Sequence, residues 1–119
     1  MRTDSLSTRE REALLAYIAT LHNRFENQLV DVILFGSKAR GDAHLDSDID
    51  VLVLLDNPDI ETLSEVRGLG FDILLTYGVF LSIRAMSRQQ WQTLANTDNL
   101  FYHNLKQDGI SLLPNLLVA

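Results

Sequence analysis

The sequence predicts an α/β fold: a short mixed β-sheet with helices packed mainly on one face, in a single domain spanning residues 1–119. Three observations lead there. The run Val32-Ile33-Leu34-Phe35 is β-branched and aromatic enough for a strand buried on both faces, and Ile49 to Leu55 is a second apolar run of strand length. Segments with helical spacing lie on either side of this pair. Finally, 119 residues, 46% hydrophobic and 22% charged, suffice for one globular core and not for two.

Taken in order, Ser7 and Glu10 have capping-box spacing, and Leu14, Leu15, Ile18, Leu21 and Phe25 recur as on a helix face. Thr8 to Leu29 therefore reads as an amphipathic helix covering one face of the sheet. His22 reads as a solvated helix residue, since no other His or Cys lies at metal-ligand spacing. The two central strands follow. Asn57-Pro58-Asp59 breaks the chain and opens another helix, whose apolar stripe (Leu63, Val66, Ile73, Leu74, Tyr77) runs to Gly78. Gly68 and Gly70 weaken that helix, which leaves a second reading open: residues 71–76 as a strand turned at Tyr77-Gly78.

Val79 to Met86 reads as a further strand. Ser87 caps a helix from Arg88 that carries Trp91 and Leu94, and Asn99 to Lys106 forms a short helix closed by Asp108-Gly109. Ile110 to Leu113 is a brief edge strand stopped by Pro114. The apolar tail, residues 115–119, is suited to docking on a partner or a second subunit.

A net charge of −6 argues against tight nonspecific binding to DNA or RNA and favours a small substrate or a protein partner. Zero cysteines exclude disulfides and thiolate metal sites. No apolar stretch approaches membrane-spanning length, and residues 1–15 lack the apolar region of a secretory signal, so the expected location is cytoplasmic, away from membranes.

The chemistry concentrates between Leu34 and Leu55. Gly36 lets the backbone turn sharply and approach a ligand closely. Ser37 is a favoured N-cap, so Lys38 to Ala43 reads as a short helix whose first N–H groups suit phosphate oxygens. Lys38 and Arg40 are placed to neutralise triphosphate charge; Arg40 is equally suited to pair with Asp48 or another acid and brace the loop. His44, Asp42 and Asp46 read as solvated loop residues. Alternation along the second strand points Asp48 and Asp50 to one face. Side-by-side carboxylates repel unless a cation lies between them. Hard oxygen ligands beside a phosphate-binding turn point to Mg²⁺, held by one or two carboxylates plus substrate phosphates.

Gly36-Ser37-x-x-Arg40-Gly41 followed by Ser47-Asp48-x-Asp50 resembles the signature of the DNA polymerase β-like nucleotidyltransferase superfamily, whose minimal members, the MNT proteins, are similar in size to this chain. The resemblance implies the polymerase β-like fold and Mg²⁺-dependent use of ATP or another NTP. It further implies Gly36, Ser37, Lys38 and Arg40 as nucleotide-binding residues, with Asp48 and Asp50 as metal ligands. Active members carry a third acidic residue, a metal ligand and general base, on the strand after the following helix. If residues 71–76 are that strand, Asp72 supplies it, as catalytic residue and third metal ligand. If they are helical, the strand from Val79 to Met86 has no Asp or Glu, and Arg84 stands roughly where an acid is expected.

The segments after Asp72, including Trp91 and Phe101-Tyr102-x-Asn104-Leu105, resemble MNT proteins found beside HEPN-domain proteins. In such pairs the HEPN protein is an RNase toxin and the MNT protein its antitoxin. The implied activity is transfer of AMP from ATP to a tyrosine hydroxyl of the HEPN partner, within a hetero-oligomer whose partner completes a shallow site at an open edge of the sheet. The alternative is an antitoxin of weak or no activity that neutralises its partner by contact, through the apolar C-terminus and the Trp91 region. Transfer to a small molecule, as in aminoglycoside-modifying relatives, lacks the added helical substrate domain.

Overall fold

The computed structural model describes residues 6–41 and 48–113. The chain runs α1 (Thr8–Phe25), β1 (Leu29–Phe35), α2 (Ser37–Arg40), β2 (Ile49–Leu55), α3 (Ile60–Tyr77), β3 (Leu81–Ser87), α4 (Arg88–Asn96), α5 (Leu100–Asp108) and β4 (Ile110–Ser111). The four strands form one mixed sheet in the order β3-β2-β1-β4. β1 pairs antiparallel with β2 and β4, while β2 and β3 run parallel, joined by α3 as crossover. This is the α/β fold expected from sequence.

α1 begins where the capping box places it: Ser7 accepts from the Glu10 N–H, and Glu10 accepts from the Ser7 N–H. It ends at Phe25, not Leu29, because Leu29 is drawn into β1 opposite Leu55. The face that α1 buries is Ala13, Leu14, Tyr17, Ile18, Leu21 and Phe25. Tyr17 is fully enclosed, and its hydroxyl donates to the Val66 carbonyl at 2.8 Å, which ties α1 to α3. Burial pushes that phenol far above the ordinary tyrosine range, so it stays a donor.

Residues 71–76 are helical, inside α3. Asp59 caps this helix by accepting from the Thr62 N–H, and Gly78 closes it in a left-handed conformation. Gly70 costs helix propensity but is needed for packing: a Cβ there would strike Ile83 of β3. Tertiary contact thus outweighs the local weakness that made a strand conceivable.

Alternation sorts the sheet into two faces. Val32, Leu34, Ile49, Val51, Val53, Leu55 and Leu81 join the buried faces of α1 and α3 in the main core. Leu52 and Leu54 face the other way, packing with Leu105, Ile33, Phe35, Met86, Trp91 and Phe101 under α4 and α5. The two long helices therefore cover one face, and the short C-terminal helices cover part of the second. Ser87 caps α4 through a capping box with Gln90, Asn99 caps α5, and β4 pairs at the edge of β1. The apolar tail and the loop carrying His44, Asp42, Asp46 and Ser47 fall outside the described residues. Among the described residues, no helix is long and apolar enough to cross a membrane.

Candidate active site

β1 ends in a turn that strongly favours glycine. Gly36 has φ +76° and ψ −158°, a region that residues with a Cβ adopt only under strain. A second constraint acts on the same atom, since a Cβ on Gly36 would overlap Oδ2 of Asp50. Phe35 is in register with Asp50 across β1 and β2, so the Asp50 carboxylate lies directly against the turn. The Gly36 carbonyl accepts from the N–H groups of Ala39 and Arg40, and the N–H of Gly41 bonds the Ser37 carbonyl, making α2 a single turn. Its first N–H groups, at Ser37 and Lys38, have no helical carbonyl before them.

Asp50 shares its sheet face with Leu52 and with Ser82 and Arg84 of β3, which pair in parallel with Asp50 and Leu52 respectively. Partial burial raises the Asp50 carboxyl above the usual carboxylate range, and the neighbouring Asp48 raises it further; Arg84, Arg40 and a hydrogen bond with Ser82 oppose the rise. Asp48, exposed at the head of β2, is therefore close enough to repel Asp50. The Arg84 guanidinium stacks over Phe101 of α5, 4.8 Å from the ring centroid, and Phe101 meets Phe35 edge-on at 5.5 Å. Arg40 reaches Asp108 at the end of α5, with nitrogen and oxygen 4.0 Å apart. The result is an acidic pair flanked by two arginines beside a glycine turn. It lies on an inner strand, at the exposed end of β2, instead of on an edge strand.

Three expectations from sequence need correction. Ser37 is the first residue of α2 and Gly36 its N-cap, with no side-chain cap bond, because glycine has no side chain to make one. Lys38 points inward: it is 2% exposed and pairs with Glu10 of α1 at 3.2 Å. That pair braces α2 against α1. Asp72 is an exposed residue on α3, beside a cleft lined by Ala16, Thr20 and Leu69, on the helix side of the sheet. As α3 stays helical through residues 71–76, Asp72 cannot join Asp48 and Asp50. Among the described residues, no three of His, Cys, Asp and Glu gather closely enough to hold a metal ion.

Ser82 was not legible as a site residue, because only the parallel register of β2 and β3 sets it beside Asp50. Asp108 was equally hidden, since it approaches Arg40 from the far end of the chain. The donor set fits one divalent cation: two carboxylates in mutual repulsion, one partly buried and one exposed.

The model of the nucleotidyltransferase domain family matches residues 18–94, which takes in the turn, both aspartates and β3. A candidate protein adenylyltransferase of Methanocaldococcus jannaschii is 30% identical over 100 residues, 84% of this chain and 94% of that protein. A solved toxin–antitoxin structure with AMP-PNP superposes with a TM-score of 0.53 at 18% identity, covering 87% of this chain and 78% of that one.

Proposed function

The chain belongs to the nucleotidyltransferase domain family, and from that membership we propose that it transfers AMP from ATP to a hydroxyl on a partner protein. The observation that carries this reading is the Asp48–Asp50 pair set against the Gly36 turn, beside Arg40 and Arg84. The acceptor hydroxyl oxygen bonds to the α-phosphorus, the bond from that phosphorus to the bridging oxygen breaks, and pyrophosphate leaves with the electron pair. The hydroxyl proton passes to solvent. Mg²⁺, when bound, would polarise the phosphates and neutralise charge developing on them. Asp48 and Asp50 are the residues that would hold it. The turn at Gly36 and Ser37 lets backbone N–H groups approach the phosphates, and positioning of this kind supplies much of the rate in phosphoryl transfer.

The relative from Methanocaldococcus jannaschii supports a protein as the acceptor, and the toxin–antitoxin neighbour supports an antitoxin setting. The partner we propose is a HEPN-domain RNase, modified on a tyrosine, in a cytoplasmic hetero-oligomer. The test is incubation of the chain with α-labelled ATP, Mg²⁺ and a HEPN protein encoded beside it. Label on a tyrosine of that protein supports the reading; an unlabelled partner in a stable complex overturns it.

One observation favours a second reading. β3 offers Ser82 and Arg84, and no acid, beside the aspartates. A site short of one carboxylate suits an antitoxin that neutralises by contact. Neutralisation that survives Asp48→Asn with Asp50→Asn is the result that reading requires.

A further inference from the structure

We propose that Arg84 serves as the second cation of the site, binding the triphosphate across from the metal held by Asp48 and Asp50. This rests on the nucleotidyl-transfer reading above. The parallel register puts Ser82 beside Asp50 and Arg84 one step further along the same face. A serine there is a poor ligand for a second divalent ion, because a neutral hydroxyl supplies little charge. Two steps along the strand, the same face carries a permanent positive charge instead. A guanidinium is planar, stays ionised and matches phosphate oxygens with paired N–H donors.

Arg84 is also held in place without being used up. Its guanidinium lies 4.8 Å from the Phe101 ring centroid, and Phe101 is wedged edge-on against Phe35, the residue before the Gly36 turn. The ring holds the guanidinium by a cation–π contact, which takes no oxygen acceptor for its N–H donors. Arg84 is exposed to solvent, so a ligand can reach it. Its attraction for the Asp50 carboxylate places it within electrostatic range of the acidic pair. With Mg²⁺ held by Asp48 and Asp50, Arg84 would supply the further positive charge toward a triphosphate that a second metal supplies in two-metal sites.

The experiment is equilibrium binding of ATP and of adenosine to the full chain, with Mg²⁺ and separately with EDTA. The variants are Arg84→Gln, Arg84→Lys, Ser82→Asp and the double variant Asp48→Asn with Asp50→Asn, each checked for folding by circular dichroism. A charge-assisted contact of this kind predicts that Arg84→Gln weakens ATP binding about 10- to 100-fold. The loss persists in EDTA, adenosine binding is unchanged, and Arg84→Lys recovers part of the affinity. Ser82→Asp is expected to add a second Mg²⁺ per bound nucleotide, read by metal titration. Wild-type ATP affinity in Arg84→Gln, while the double aspartate variant loses Mg²⁺-dependent binding, overturns the role of Arg84 and leaves the transfer site standing. Wild-type Mg²⁺–ATP binding by the double aspartate variant overturns the transfer site itself.

Discussion

Replacing Gly36 with alanine probes the site at its tightest point. The backbone there sits at φ +76° and ψ −158°, and forcing a Cβ into such a region costs about 1–3 kcal/mol. Gly41 is the internal control: its φ of +83° is also positive, so Gly41→Ala costs roughly 1–2 kcal/mol, yet among the described residues a Cβ there meets nothing within 4 Å. Both variants should fold and show similar losses in chemical denaturation. They separate at the active site. The new methyl at position 36 overlaps Asp50 Oδ2, and the carboxylate must retreat by about an ångström to restore an ordinary carbon–oxygen contact. Misplacement on that scale is worth about a hundredfold in rate. Gly36→Ala is therefore expected to lose AMP transfer by about two orders of magnitude and Mg²⁺–ATP affinity with it, while Gly41→Ala keeps both. Transfer by Gly36→Ala at the rate of Gly41→Ala would refute the coupling between turn and carboxylate.

The remaining predictions concern the frame and its charges. Lys38→Met should destabilise the fold by about 3 kcal/mol, because it strands Glu10 in a largely buried pair, and leave nucleotide affinity unchanged. Urea titration and ATP binding on the same preparation check both halves. Tyr17→Phe removes the hydrogen bond to the Val66 carbonyl and should cost about 1 kcal/mol in urea unfolding without affecting the site. Asp50→Asn should melt at a higher temperature than wild type at neutral pH in EDTA. The sign follows from the raised Asp50 carboxyl: its stabilising contribution is complete below the unfolded carboxylate pKa and lost as pH rises through the folded value. Below the ordinary carboxylate range the two melting temperatures should converge.

The sequence made the sheet and the acidic pair legible because both rest on alternation, which is local. Ile49 to Leu55 alternates between two faces, so Asp50 could be placed relative to Asp48 without knowing what packs where. Ser87 and Ser7 were readable for the same reason, since a capping box closes within three residues. Lys38 was not. Its position beside a phosphate-like turn suggested a ligand contact, but its partner Glu10 lies 28 residues upstream and is visible only once α1 docks. Asp72 turned on a choice that propensity leaves close. Gly70 looked like a break in a helix, whereas it is the spot where α3 must approach Ile83 of β3. Ser82 depends on the parallel register of β3 against β2, a nonlocal fact with no signature in the strand itself, whereas Arg84 already stood out where the resemblance expects an acid.

The most direct measurement is transfer of label from α-labelled ATP, in Mg²⁺, to the proposed HEPN partner by wild type and by Asp48→Asn with Asp50→Asn. The account predicts a labelled tyrosine with wild type and none with the double variant, while circular dichroism shows both folded. Equal labelling by the two proteins would contradict it, because the pair at the head of β2 would then have no part in the chemistry.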